Sequence, residues 1–229
     1  MDGRSPAAVF PLDGHDWQLL PLVPREWESR QVWREDWETA GTFPAVTAWI
    51  RGSVPGDVIA DAWDAGLIPD PYVDMNSRAC EWLAGRDWVY RKDFTGPDLE
   101  RGEALRLCFE GVDFACRVYL NGELLGTHEG MFTPFEFDVT EKVRQGRRNR
   151  LVVVVMCAPP VDMVQGQVGR TSEARLWKAR FAYGWDWCTR LVPVGIWRGV
   201  RLVRTGPVWL EDVWVCPRVD LSAGEERPS

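Results

Sequence analysis

At 229 residues and 45% apolar content, the chain is long enough to bury a full core, and all-β sandwiches of this length are commonly one domain. Its 27 Lys and Arg against 34 Asp and Glu leave a net charge of -7, spread along the chain without basic blocks, which argues against a nucleic-acid surface. The longest purely apolar run, residues 151–156, is far too short to cross a bilayer, so neither nucleic acid nor membrane is expected as a partner.

Residues 1–10 contain no basic start followed by an apolar stretch, and a soluble, unexported protein is expected. The first clear element is a helix. Asp57 follows Pro55-Gly56 as N-cap, Val58, Ile59, Ala62 and Trp63 form an apolar stripe, and Gly66 supplies the stop. The stripe leaves Asp57, Asp61 and Asp64 predicted to face water, as carboxylates of an amphipathic helix do, rather than to bind a metal.

Period-two alternation then predicts strands. Trp88, Tyr90, Lys92 and Phe94 alternate with Val89, Arg91 and Asp93, and Leu105, Leu107 and Phe109 with Arg106, Cys108 and Glu110. After Cys116, Val118 and Leu120 comes Asn121-Gly122, a pair that tolerates the positive φ angles of a type I′ turn, and Leu124 and Leu125 resume the apolar pattern, which predicts a hairpin. Further strands are expected over residues 135–139, 151–156, 197–203 and 208–215, separated by Gly, Pro and Asp clusters. Many short strands with long returns fit an all-β jelly-roll or related sandwich with one short helix.

Between Ala158 and Arg190 the periodicity fails, over a length at which loops in compact domains are usually functional or disordered. The Trp and Tyr content of this stretch is too high for a flexible linker. Residues 220–229 read as a linker or cut end. The six cysteines form no C-x-x-C pair, and they are expected to be reduced core residues of a cytoplasmic protein.

Signatures of catalysis are mostly missing: no P-loop, no G-x-G-x-x-G, no G-x-S-x-G and no H-E-x-x-H occurs, and His15 and His128 are the only histidines. Most of the fourteen tryptophans, Trp49, Trp88 and Trp209 among them, sit in strand-like alternation and are expected to fill a sandwich core. Trp185 and Trp187 differ, because they flank Asp186 inside the long loop. An aromatic face covers the C–H patch of a pyranose and a carboxylate accepts charge-assisted hydrogen bonds from its hydroxyls. The same residue types equally suit a buried Asp that ties the loop down through backbone N–H groups.

The run Trp177-Lys178-Ala179-Arg180-Phe181-Ala182-Tyr183-Gly184-Trp185-Asp186-Trp187, followed by Arg190 and Gly195-Ile196-Trp197-Arg198, resembles the hallmark loop of β-mannosidases in glycoside hydrolase family 2. Val54-Pro55-Gly56-Asp57, Asp87-Trp88-Val89-Tyr90-Arg91, Phe109-Glu110-Gly111-Val112-Asp113, Val118-Tyr119-Leu120-Asn121-Gly122 and Pro134-Phe135-Glu136-Phe137-Asp138 are similar, in the same order, to segments of that family's N-terminal domain. The resemblance covers most of residues 49–215. Cys188-Thr189 stands where the family usually has Gly-Pro, and residues 161–171 match only loosely.

The resemblance implies a galactose-binding-like jelly-roll over residues 1–216, with 217–229 as a linker or the start of a second domain. It implies that Trp185 and Asp186, with Trp187 as a weaker candidate or a support of the loop, bind the terminal sugar of a β-mannoside oligosaccharide. Both catalytic carboxylates would lie in a barrel domain beyond a second sandwich, so this chain holds no catalytic residue and is expected to be inactive alone; no cofactor or metal is implied. A free-standing carbohydrate-binding module, a domain of a related exo-β-glucosaminidase and a purely structural packing unit remain open at this point.

Overall fold

The computed structural model describes residues 8–37, 49–159, 176–210 and 213–218. Among the described residues, ten strands form two antiparallel sheets packed face to face. They are β1 (Ala8–Pro11), β2 (Gly14–Leu22), β3 (Ile50–Val54), β4 (Asp87–Thr95), β5 (Ala104–Phe109), β6 (Ala115–Leu120), β7 (Glu123–Glu129), β8 (Phe135–Asp138), β9 (Arg148–Val155) and β10 (Val200–Thr205). One sheet runs β1-β10-β5-β8 and the other β3-β2-β4-β9-β6-β7. From β4 onward the chain crosses between sheets at every connection except the β6–β7 hairpin, which is the sandwich pattern expected. Asn121 at φ 53° and Gly122 at φ 88° make that hairpin's turn, the positive-φ pair a type I′ geometry requires.

The inner faces meet over Trp17, Leu19, Trp88, Tyr90, Leu105, Leu107, Phe109, Val118, Leu151, Val153 and Leu202. The six-stranded sheet is covered on its outer face as well. Helix α1 (Glu26–Arg30) and the turn after it lay Trp27, Val32, Trp33 and Trp37 over Leu20, Val89, Tyr119, Val152 and Val154. A strand buried on both faces loses its alternation, which is why residues 151–155 read as a continuous apolar run. Trp49 belongs to this outer layer, under the Arg91 guanidinium 4.1 Å from its ring. Asp87 fixes the layer by accepting from Arg25 N, Trp27 Nε1 and, at the other oxygen, Cys157 N, at 2.8, 2.9 and 2.7 Å.

Several expectations are corrected. Residues 208–210 and 213–215 are not strand and stand exposed, Trp209 included; their alternation has no sheet to lie on. The expected strand over 197–203 begins only at Val200. Helix α2 (Val58–Asp64) forms as predicted, with Asp57 Oδ1 accepting from Ile59 N and Ala60 N. Asp61, however, turns inward: its Oδ1 accepts from Ser53 N at 3.0 Å, its Oδ2 has no partner, and burial raises its pKa to about 7. Trp63, expected in the stripe, is exposed instead. All six cysteines are free; Cys80 and Cys116 are buried, Cys108, Cys157 and Cys188 half-buried and Cys216 exposed, so the core reading holds for two. Residues 161–171 and 220–229 lie outside the described residues.

Candidate functional site

The long connection between β9 and β10 has a locked base and an exposed tip. At the base Lys178, almost fully buried, donates to both oxygens of the equally buried Asp113 at 2.5 Å and to Pro193 O at 2.8 Å. Burial is the largest influence on the pair and moves both groups toward neutrality, Asp113 up and Lys178 down, while their mutual attraction works against it. Asp113 also exchanges backbone hydrogen bonds with Gly195, and α2 joins the same base through Gly56 N to Ile196 O and Val58 N to Val194 O. Gly195 adopts φ 153°, and a Cβ there would lie 2.7 Å from Tyr90 Oη and 3.0 Å from Asp57 Cα. Only glycine lets the loop and α2 approach this closely.

Further out, a short 3-10 turn, Phe181–Tyr183, buries Ala182 and Tyr183. Tyr183 Oη donates to Pro159 O at 2.8 Å, and Arg190 stacks over the Tyr183 ring while donating to Tyr183 O. Gly184, at φ 123°, then redirects the chain into the tip. There Trp185 and Cys188 exchange backbone hydrogen bonds of 3.4 and 3.2 Å, placing Asp186 and Trp187 at the two central positions of a tight turn. No residue from Trp185 to Thr189 needs a positive φ, so Cys188-Thr189 closes this turn without the freedom a glycine would add.

The three loop residues singled out from sequence are brought together and exposed. The Trp185 and Trp187 rings meet edge to face at 5.9 Å, and Trp187 is 75% exposed. Asp186 is exposed and its carboxylate has no partner among the described residues. The alternative of a buried Asp tying the loop down is therefore not what is observed; Lys178 and Arg190 do that work. Trp187 also lines a cleft of about 490 Å³ together with Trp63, Tyr72, Phe181, Asp57 and Thr189. Trp185 and Asp186 lie outside that lining. Trp63 and Tyr72 were missed in the sequence because a helix stripe and a Pro-rich turn account for them without any ligand.

Among the described residues no group of three or more His, Cys, Asp or Glu is placed to hold a metal, and no helix is long and apolar enough to cross a membrane.

Residues 27–198 match the family described as glycosyl hydrolase 2 galactose-binding domain-like. Beta-mannosidase B of Emericella nidulans is 28% identical over 178 residues, covering 73% of this chain and 21% of the relative. Beta-mannosidase B of Thermothelomyces thermophilus is 29% identical over 208 residues, covering 86% of this chain and 22% of the relative. Among solved structures, β-D-mannosidase from Dictyoglomus thermophilum superimposes with a TM-score of 0.64 at 28% identity, covering 85% of this chain and 22% of that one. A β-glucuronidase of an uncultured Clostridium, 22% identical with a TM-score of 0.59, shares the fold. The chain thus spans about a fifth of the length of the relatives it matches. With the model match extending over most of the sandwich and the whole of the described loop, the chain belongs to the galactose-binding domain-like family of glycosyl hydrolase 2.

Proposed function

We propose that this chain is the substrate-contacting N-terminal domain of a β-mannosidase-type retaining glycoside hydrolase, which releases terminal non-reducing β-D-mannose from oligosaccharides. The observation that carries the reading is the exposed Trp185-Asp186-Trp187 tip on a base locked by Lys178, Asp113 and Arg190. Retaining hydrolysis needs two carboxyl groups about 5 to 5.5 Å apart, a nucleophile and an acid/base. In this reading both belong to a barrel domain of the same enzyme, and the loop contributes binding energy. The Asp186 carboxylate accepts hydrogen bonds from sugar hydroxyls, and Trp185 covers a C–H face of the ring. Trp187, which lines the adjoining cleft, supports the far side of the tip.

The test is Asp186→Ala in the complete enzyme, assayed on an aryl β-mannoside. Losing one charge-assisted hydrogen bond of about 1.5–3 kcal/mol predicts kcat/KM lowered by roughly 10- to 150-fold. An unchanged kcat/KM excludes Asp186 from the sugar site. The mass of the native protein in its host separates this reading from a free-standing module, because a product of only 26.2 kDa would leave no room for a barrel.

A further inference from the structure

We propose that a second cleft, between residues 129–133 and residues 176–177, is a separate binding subsite for a neutral oligosaccharide. It measures about 500 Å³, within the range of small-molecule sites, roughly 300–1,000 Å³. None of its lining residues also lines the cleft beside Trp187. Phe114 and Met131, both buried, form its apolar floor, and Phe132 and Trp177 form aromatic walls. Trp177 is 83% exposed and makes no ring contact among the described residues. On the rim, the Glu129 carboxylate and the Thr133 hydroxyl have no partner among the described residues.

The Met131 floor and the Phe132 wall are held by contacts already made, so little ordering remains on that side to oppose binding. Met131 O accepts from Trp197 Nε1 at 2.8 Å, and Met131 Sδ accepts from Ala179 N at 3.3 Å. Phe132 packs edge to face on Trp197 at 6.1 Å, and Gly130 N donates to Phe114 O at 2.9 Å. Trp177 immediately precedes Lys178, whose ammonium is the buried anchor of the loop. A pyranose uses all these features: its C–H face stacks on Trp177 or Phe132, and its hydroxyls donate to Glu129 and exchange hydrogen bonds with Thr133. A quaternary ammonium would use the aromatic faces and Glu129 but not the hydroxyl. The choice of a manno-oligosaccharide among neutral oligosaccharides rests on the function proposed above.

The experiment titrates the 229-residue chain with mannotriose, cellotriose and chitotriose, and separately with choline, following saturation-transfer NMR and tryptophan emission. Saturable binding of a trisaccharide is expected, weakened at least about tenfold, or 1.4 kcal/mol, by Trp177→Ala and by Phe132→Ala. Glu129→Gln should weaken it less. Both aromatic positions are exposed, so unchanged thermal unfolding of these variants separates lost binding from lost fold. Binding of cellotriose or chitotriose but not mannotriose at Trp177 supports the subsite and counts against the mannose reading. No saturable binding of any trisaccharide, binding indifferent to Trp177→Ala, or choline binding more tightly than every trisaccharide overturns the subsite.

Discussion

Replacing Lys178 by Met retains the length and much of the apolar stem of the side chain while removing its ammonium, and with it two bonds to Asp113 and one to Pro193 O. Asp113 stays almost fully buried with both oxygens unpaired. Breaking one half of a buried ion pair in this way costs about 3–5 kcal/mol, and the Lys178→Met chain should lose that much stability at neutral pH. The deficit has a predictable pH dependence. Without the cation, burial holds the Asp113 carboxyl above its unfolded value of roughly 3.9, so the native state keeps a proton that the unfolded chain has released. The variant is therefore least impaired below about pH 4 and loses further stability as pH rises through the folded pKa. Urea unfolding followed by tryptophan emission, at about pH 4.5 and pH 7.5, measures both quantities. The double variant Lys178→Met with Asp113→Leu should recover most of the loss, because an apolar pair leaves no charge behind. A deficit below about 1 kcal/mol at neutral pH, or one equal at both pH values, would refute the buried-latch reasoning.

Gly195→Ala should destabilise the chain by about 2–3 kcal/mol, since the added Cβ meets Tyr90 Oη and Asp57 Cα at a positive φ; a melting temperature equal to wild type would show that the loop can move off α2 freely. Asp61, with its pKa raised to about 7 by burial, contributes stability that is fully present below its unfolded pKa and lost as pH rises through about 7. Asp61→Asn should flatten the urea-stability profile across that window while still accepting from Ser53 N, and profiles that stay parallel would mean that Asp61 does not titrate there.

Legibility in the sequence followed burial. The β6–β7 hairpin was readable because Asn121-Gly122 imposes its turn locally, and β5 because alternation marks a strand with one face in the core; β4 stayed readable although both its faces are largely covered, because Arg91 and Asp93 interrupt the apolar run. Strands β1 and β2 were not, since Gly14, His15, Asp16 and Pro21 break the pattern although β2 pairs with both β3 and β4. Residues 208–210 and 213–215 show the opposite failure: apolar alternation there falls on residues left exposed. At the candidate site, Trp185, Asp186 and Trp187 were singled out because a carboxylate between two tryptophans has a recognisable chemistry, and the structure brings the three together on an exposed turn. The pairing of Asp113 with Lys178 was invisible, since they lie 65 positions apart with nothing local to couple them. Asp61 was misread because helical spacing says which face a residue shares, not what packs on that face; here Ser53 of β3 does.

The placement of Asp186 and Trp187 at the tip of a turn closed only by Trp185 and Cys188 has an evolutionary reading. Among the described residues the side chains of Asp186 and Trp187 make no hydrogen bond to the sandwich, whereas Lys178, Asp113 and Gly195 are locked by buried contacts. Residues at the tip can therefore vary with little penalty to the fold, while the platform beneath them stays constant. On the proposed function, substitutions at the tip would change what is bound while leaving its mount in place.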